Sequence, residues 1–230
     1  YKAQREATPE DIRASVPIIK DIITAMHIPV LQADGFEADD VIGTLATKAG
    51  EAGVQTYMLT PDKDYGQLVS DNVFIFRPRH GGGYETMGPK EVCEKYELDS
   101  PTQVIDLLAL MGDSADNFPG CPGVGPKTAT KLIAEFGSID SILENSAKIK
   151  GKLREKVEGA VDDIRMSKFL ATIRTDVPID LDLDALKIQE PDTARLTEIF
   201  TELEFKSLLV KFVKKPQQPQ KTVNLQLDLF

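Results

Sequence analysis

The sequence has no apolar run approaching the roughly 18 residues that a membrane-spanning helix needs, which excludes a helical span. No secretory signal is expected either. The opening Tyr1-Lys2-Ala3-Gln4-Arg5 contains no Met, as expected of a piece of a longer protein. Cysteine is scarce, with only Cys93 and Cys121 among 230 residues and no motif around either. That excludes a disulfide framework and a zinc site, and a reducing cytoplasmic setting is expected. Base is short as well: 27 Lys and Arg face 37 Asp and Glu, a net charge of −10. Such a balance argues against a polyanionic partner unless the charge is uneven. It is uneven. Lys127, Lys131, Lys148, Lys150, Lys152, Arg154 and Lys156 lie close together, and local charge decides where a phosphate backbone lands.

What is present is a real core and three acidic sets. A chain of this length with 41% hydrophobic residues can fold as one or two domains. Thr8 as N-cap and Pro9 at the first position predict a helix to about residue 27, kinked at Pro17. Ile18, Ile19, Ile22, Ile23 and Met26 recur at helical spacing as its buried face. Residues 28–32 read as a strand, and 37–52 as a helix with Val41, Ile42 and Leu45 inward. Strands follow at 54–59 and 73–76, then a glycine-rich loop or hairpin over 77–84. Helices are predicted over 89–96, 101–111, 127–136, 139–145, 152–173 with a possible break, and 191–213. The pattern is α/β, a parallel sheet followed by a helical half.

Glu37-Ala38-Asp39-Asp40, Asp62-Lys63-Asp64 and Asp113-Ser114-Ala115-Asp116 each follow an apolar element and precede a turn or helix. Acids in a first helical turn ordinarily serve as caps. Three sets in one context argue for more, because carboxylates gathered at one sheet edge need cations to stay ionised together. Hard oxygen donors in that number suit Mg²⁺ or Mn²⁺, two or more, in a phosphodiesterase site. Lys63 reads as a solvated surface charge.

Gly120-Cys121-Pro122-Gly123-Val124-Gly125-Pro126-Lys127-Thr128-Ala129 is a glycine-flanked turn opening a helix, with Lys131 one turn beyond Lys127. It lacks the order of a Walker A loop and has that of a helix-hairpin-helix. Gly123, Gly125, Lys127, Thr128 and Lys131 are therefore candidate DNA-backbone contacts, which position without reading bases.

These motifs, together with Tyr1–Arg5, Gln67 and Asn117, occur in an order that resembles the 5′-nuclease domain of bacterial DNA polymerase I, in the flap-endonuclease family. The resemblance covers about residues 1–213. It implies a PIN-like α/β sheet missing its first strands, a helix–three-turn–helix module, and metal-dependent hydrolysis of 5′ flaps and RNA primers. Carried over, Glu37, Asp39, Asp62, Asp64, Asp113 and Asp116 serve the metals, with Asp40 in the same motif. Lys2 and Arg5 match basic residues that approach the scissile phosphate, and K⁺ is expected on hairpin carbonyls around Gly123 and Gly125. The family's domain begins with about eighty further residues supplying the first strand and its Asp, without which two metals are not held as the chemistry needs. The intact protein is thus expected to be a nuclease, and activity of this stretch alone stays open. So do a DNA-binding module with a vestigial metal site and an acidic interaction domain.

The division expected is 1–111 as the truncated α/β core, 112–213 as the helical DNA-binding region and 214–230 as a flexible linker. The chain ends Gln226-Leu227-Asp228-Leu229-Phe230, which resembles the pentapeptide by which bacterial replication proteins dock on the sliding clamp. Gln226, Leu227, Leu229 and Phe230 are its candidate contacts. A monomer is expected.

Overall fold

A computed structural model describes residues 2–4, 6–79 and 81–212. The contacts among them separate two compact units, Tyr1–Glu6 with Gln32–Leu181 and Ala7–Leu31 with Asp182–Phe230. This division by contact runs differently from a boundary at residue 111, because the first helix joins the last ones rather than the sheet.

In the first unit, β1 (Thr56–Leu59), β2 (Val73–Pro78) and β3 (Tyr84–Met87) form one sheet in that order. β1 runs parallel to β2 with Met58 opposite Ile75, and β3 returns antiparallel with Met87 opposite Ile75. The sheet is therefore mixed where the sequence predicts a parallel one. The third strand comes from the glycine-rich segment: Gly81, Gly82 and Gly83 take positive φ, and Arg79 N donates to Gly83 O at 2.9 Å, closing a hairpin. Residues 28–32 form no strand. Ile28, Val30 and Leu31 are exposed, and apolar β-formers without an edge to pair with do not make one.

α2 (Ala38–Glu51) packs on the sheet with small residues, Ala46, Ala49 and Gly50, buried, and turns Gly43 towards Ile173 and Leu68, while Ile42 is exposed rather than inward. A Cβ on Gly50 would stand 2.6 Å from Val73 Cγ2, so the helix approaches β2 as closely as a side chain there permits. α3 (Pro89–Tyr96) follows β3. The centre of the unit is α4 (Gln103–Met111), whose Val104, Leu107, Leu108, Ala109 and Leu110 are all buried. It packs on α5 (Pro126–Phe136) and α8 (Val161–Ala171), with α6 (Ile139–Glu144) and α7 (Lys152–Gly159) between them in sequence. The break between α7 and α8 at Ala160 agrees with the sequence reading.

The second unit is α1 (Glu10–Ala25), α9 (Thr193–Glu202) and α10 (Lys206–Phe212) around Ala25, Leu196, Ile199 and Phe200. α1 starts after Pro9, not Thr8, and carries Pro17 inside it. Its buried contacts come from Ile22, Ala25 and Met26, whereas Ile18 and Ile19 are exposed, because only its last turns meet α9. The single helix expected over 191–213 is interrupted where Glu204 takes φ +55 and Phe205 N returns to Phe200 O. That turn brings Phe212 to 6.1 Å from the Phe200 ring.

The chain leaves α4 at Gly112 (φ +72) and crosses itself at Gly120 (φ +63), where an added Cβ would lie 2.2 Å from Gly112 N. Cys121 N donates to Leu110 O, and Gly120 N to the buried Ser167 Oγ at 2.9 Å. This crossing fixes the loop between them. Gly120→Ala should destabilise the chain by roughly 3 kcal/mol or more, combining a backbone clash with strain at positive φ. Chemical denaturation measures it, and a loss under about 1 kcal/mol would show that the crossing can relax.

Candidate functional site

The sharpest acidic pair grows from the end of β1. Thr60 Oγ1 accepts from Asp62 N at 3.1 Å, and Asp62 Oδ1 accepts from Asp64 N at 3.0 Å, capping a 3₁₀ turn over Lys63–Leu68. Asp64 is thereby turned inward, and its Oδ1 is buried with no hydrogen-bond partner. Burial, then the charge of Asp62, pushes its pKa up to about 7; Lys63 opposes this, and Asp113 and Asp116 add to it.

Those last two residues sit on the loop held by Gly112 and Gly120. Asp113 and Phe118 exchange backbone hydrogen bonds at 3.0 Å, and Asp113 Oδ1 accepts from Ala115 N at 2.7 Å. Asp113 Oδ2 takes Lys63 Nζ at 2.5 Å. Burial works against the charge of Asp113, but Lys63 and the Ala115 amide outweigh it and hold the carboxyl below its ordinary range. Burial likewise opposes the charge of Lys63, and Asp113, Asp64 and Asp62 together raise its pKa. Lys63 is therefore more than a surface charge: it is the counter-ion within the acidic group.

The acids at the start of α2 stand apart from this group in their bonding. Asp40 Oδ2 accepts from Glu37 N at 3.3 Å as a helix cap, and its Oδ1 accepts from Arg174 N at 3.0 Å. Asp39 Oδ1 accepts from Tyr65 OH at 2.8 Å. Burial and then that bond raise the Tyr65 pKa, with Asp62 and Asp40 adding charge, so both acidic groups act on one phenol. Lys2 Nζ pairs with Glu37 Oε2 at 2.6 Å while Lys2 N donates to Asp116 O at 2.9 Å. Gln4 Nε2 donates to Ser114 O at 2.8 Å. Arg5 lies outside the described residues, as do Gln226, Leu227, Leu229 and Phe230.

Sequence reasoning gave no role to the residues that lock this region. Buried Gln67 donates to Asp64 O and Ala171 O and accepts from Ile173 N, each at 2.9 Å. Thr44 Oγ1 accepts from Val177 N at 3.1 Å. Both tie the segment after α8 to the acidic edge, and only the three-residue spacing of Gln67 from Asp64 hints at it. That segment and α2 border a groove of about 540 Å³ lined by Glu37, Asp40, Phe169, Thr172, Arg174 and Asp176. Arg174 lies 4.9 Å above the Phe36 ring.

At the hairpin, Val124 is buried between exposed Gly123 (φ +74) and exposed Gly125. α5 begins at Pro126, and the amides of Thr128 and Ala129 bond Gly125 O at 3.0 Å. Lys127 and Lys131 are exposed, while Ala129, Leu132 and Ile133 anchor the helix in the core.

Family comparisons match this architecture. The 5′-3′ exonuclease N-terminal resolvase-like domain matches residues 1–97, and the 5′-3′ exonuclease C-terminal SAM fold matches residues 99–194. The chain belongs to the 5′-3′ exonuclease family. It is 43% identical over 213 residues to thermostable DNA polymerase I of Thermus filiformis, covering 92% of this chain and 25% of that protein. With DNA polymerase I of Bacillus subtilis it shares 39% over 228 residues, 98% of this chain and 26% of that protein. The chain thus spans about a quarter of the length of the curated relatives it matches. The fold is that of the bacteriophage T5 D15 protein co-crystallised with metal ions, TM-score 0.64 at 21% identity, covering 89% of this chain and 76% of that one. It is also that of the Rad2 catalytic core with DNA substrate, TM-score 0.62 at 19% identity, covering 91% and 72%.

Among the described residues no three His, Cys, Asp or Glu side chains converge as they stand. Lys63 and Lys2 occupy carboxylate oxygens instead. The set around Asp64 is nevertheless oxygen-only, acts on a common carboxyl, and leaves one buried oxygen without a partner. It fits a hard cation held partly through water. No helix of the described residues is long and apolar enough to cross a membrane.

A raised carboxyl pKa means that folding favours the protonated form. The contribution of Asp64 is complete below its ordinary 3.8 and is lost as pH rises through about 7. In chelator, the melting temperature of the wild type relative to Asp64→Asn should fall across that window. Mn²⁺ at pH 7.5 (roughly physiological) should raise the wild type and not the variant. Parallel curves for the two proteins, with and without Mn²⁺, would remove Asp64 from any cation site.

Proposed function

We propose that this chain carries the 5′→3′ exonuclease and flap-endonuclease activity of a DNA polymerase I, hydrolysing phosphodiesters of 5′ flaps and RNA primers in replication and repair. The observation that carries the reading is Asp64, whose Oδ1 is buried without a partner and whose pKa is raised by burial and then by Asp62, Asp113 and Asp116. Asp62, Asp64, Asp113 and Asp116 would hold divalent cations, Mg²⁺ or Mn²⁺, and Glu37, Asp39 and Asp40 would join them from the start of α2. When bound, the cations supply positive charge to the phosphate and acidify the attacking water. Lys63 and Lys2, now on Asp113 and Glu37, are the ammonium groups that would exchange a carboxylate for a phosphate oxygen. Arg5 adds to them by sequence position. Gln67 holds the 3₁₀ turn rigid while this happens.

The hairpin supports the DNA partner. Gly123, Gly125, Lys127, Thr128 and Lys131 combine an exposed glycine turn with exposed ammonium groups, which fits contact to one strand's phosphates. Gly123 O already accepts from a cationic group, Lys156 Nζ at 3.3 Å, which is compatible with K⁺ at such carbonyls. In functional terms residues 1–111 are the catalytic half, 112–213 the DNA-binding half and 214–230 a linker whose last five residues fit the sliding clamp. We place this activity in a monomer in the cytoplasm. One observation favours a second reading, a DNA-binding module without catalysis: Lys63 and Lys2 sit on Asp113 and Glu37, and among the described residues no three acids converge.

Cleavage of a 5′-flap duplex with Mg²⁺ decides between them. Asp116→Asn should lower the rate by at least about two orders of magnitude, the scale of losing one electrostatic stabiliser, with flap binding unchanged. Flap affinity with no cleavage by the wild type would favour the second reading, and absence of both would defeat the proposal.

A further inference from the structure

In a chain with net charge −10, many basic side chains pair with acid close by. Lys63 bonds Asp113, Arg77 bonds Glu85, Lys168 bonds Asp140, Arg174 bonds Asp176 and Arg154 bonds Glu158. Lys127, Lys131, Lys148, Lys150 and Lys152 are different: all are exposed, and none has an ion pair among the described residues. Two of the five belong to the hairpin already described. The other three belong to a second turn built in the same way.

In that turn Ile149 is buried between exposed Lys148 and Lys150, as Val124 is between Gly123 and Gly125. A glycine, Gly151, directly precedes α7 as Gly125 precedes α5, with Gly151 at φ +63 where Gly125 is extended and the positive φ falls on Gly123. A 3₁₀ turn over Ser146–Lys148 packs on α7 and leads into it. The two turns are joined: Lys156 Nζ of α7 donates to Gly123 O at 3.3 Å. Lys152 lies one helical turn before Lys156 on the same face, about 6 Å along the axis. Of the acids near it, Glu158 is engaged by Arg154 and Ser146, leaving Glu155 as the opposing charge. Neither turn carries an aromatic side chain, so stacking of unpaired bases has no platform here.

We propose that Lys148, Lys150 and Lys152 form a second backbone-binding turn for duplex DNA, and that Lys156 fixes it to the Gly123–Lys131 hairpin as one surface. The inference rests on the DNA-binding reading and extends it to a surface that grips the duplex at two turns. It predicts contacts that position without sequence preference.

The test is the salt dependence of the whole chain's affinity for a short flap duplex, read by fluorescence anisotropy. Each phosphate contact contributes about 0.9 to the slope of log affinity against log salt. Lys148→Ala/Lys150→Ala/Lys152→Ala should flatten the slope by about 2 to 3, alike for unrelated sequences. Lys127→Ala/Lys131→Ala should flatten it by about 2. Replacement of the three lysines by Arg should keep the wild-type slope, and the single Ala variants, each at an exposed site, should lose about 1 apiece with unchanged melting temperature. A wild-type slope in the triple Ala variant, beside a flattened one in the hairpin variant, would overturn the second turn and leave DNA binding standing. No salt-dependent binding by the wild type would overturn both.

Discussion

The close crossing of the chain at Gly112 and Gly120 is the constraint on which the acidic region depends. α4 is buried along most of its length, so the chain cannot drift where it leaves that helix. It must reverse within a few residues, and two glycines at positive φ with backbones in contact make the reversal. Asp113 and Asp116 ride on the loop so formed. Asp62 and Asp64 arrive independently, on a 3₁₀ turn capped by one of them. Two separately braced segments thus bring Asp62, Asp113 and Asp116 close enough to act on the Asp64 carboxyl.

Repulsion among these acids has to be met chemically. The structure shows three answers at once: Lys63 seated on Asp113, a carboxyl at Asp64 poised near neutrality, and Tyr65 bonded to Asp39. Each reduces the local negative charge or shares it through a hydrogen bond. An unpaired buried oxygen such as Asp64 Oδ1 costs free energy. The hairpin solves the opposite problem. It keeps lysines clear of acid, so their charge is available to an incoming phosphate backbone.

The acidic sets, the hairpin and the helices of the first unit were legible because each is written locally. Carboxylates after an apolar element, Gly-Val-Gly before a helix, and 3.6-residue periodicity in 103–111 all depend on near neighbours in sequence. Family membership was legible for the same reason, being carried by ordered short motifs. The errors fell where partners decide. Ile18 and Ile19 have helical spacing but meet nothing, Ile42 yields the inner face of α2 to small residues that let it approach β2, and 28–32 has strand-forming residues but no edge to join.

The sequence by itself therefore determined the chemistry on offer: oxygen donors in three clusters, exposed lysines near a glycine turn, and an α/β order of elements. Only the tertiary structure decided which of these groups meet. It turned Lys63 from a surface charge into the counter-ion of Asp113, made Gln67 the bond between the 3₁₀ turn and the end of α8, and joined two distant turns through Lys156 and Gly123. The physical reason is range. Propensity, capping and charge density act within about one helical turn. Desolvation and hydrogen bonds between residues a hundred positions apart exist only once the core has closed.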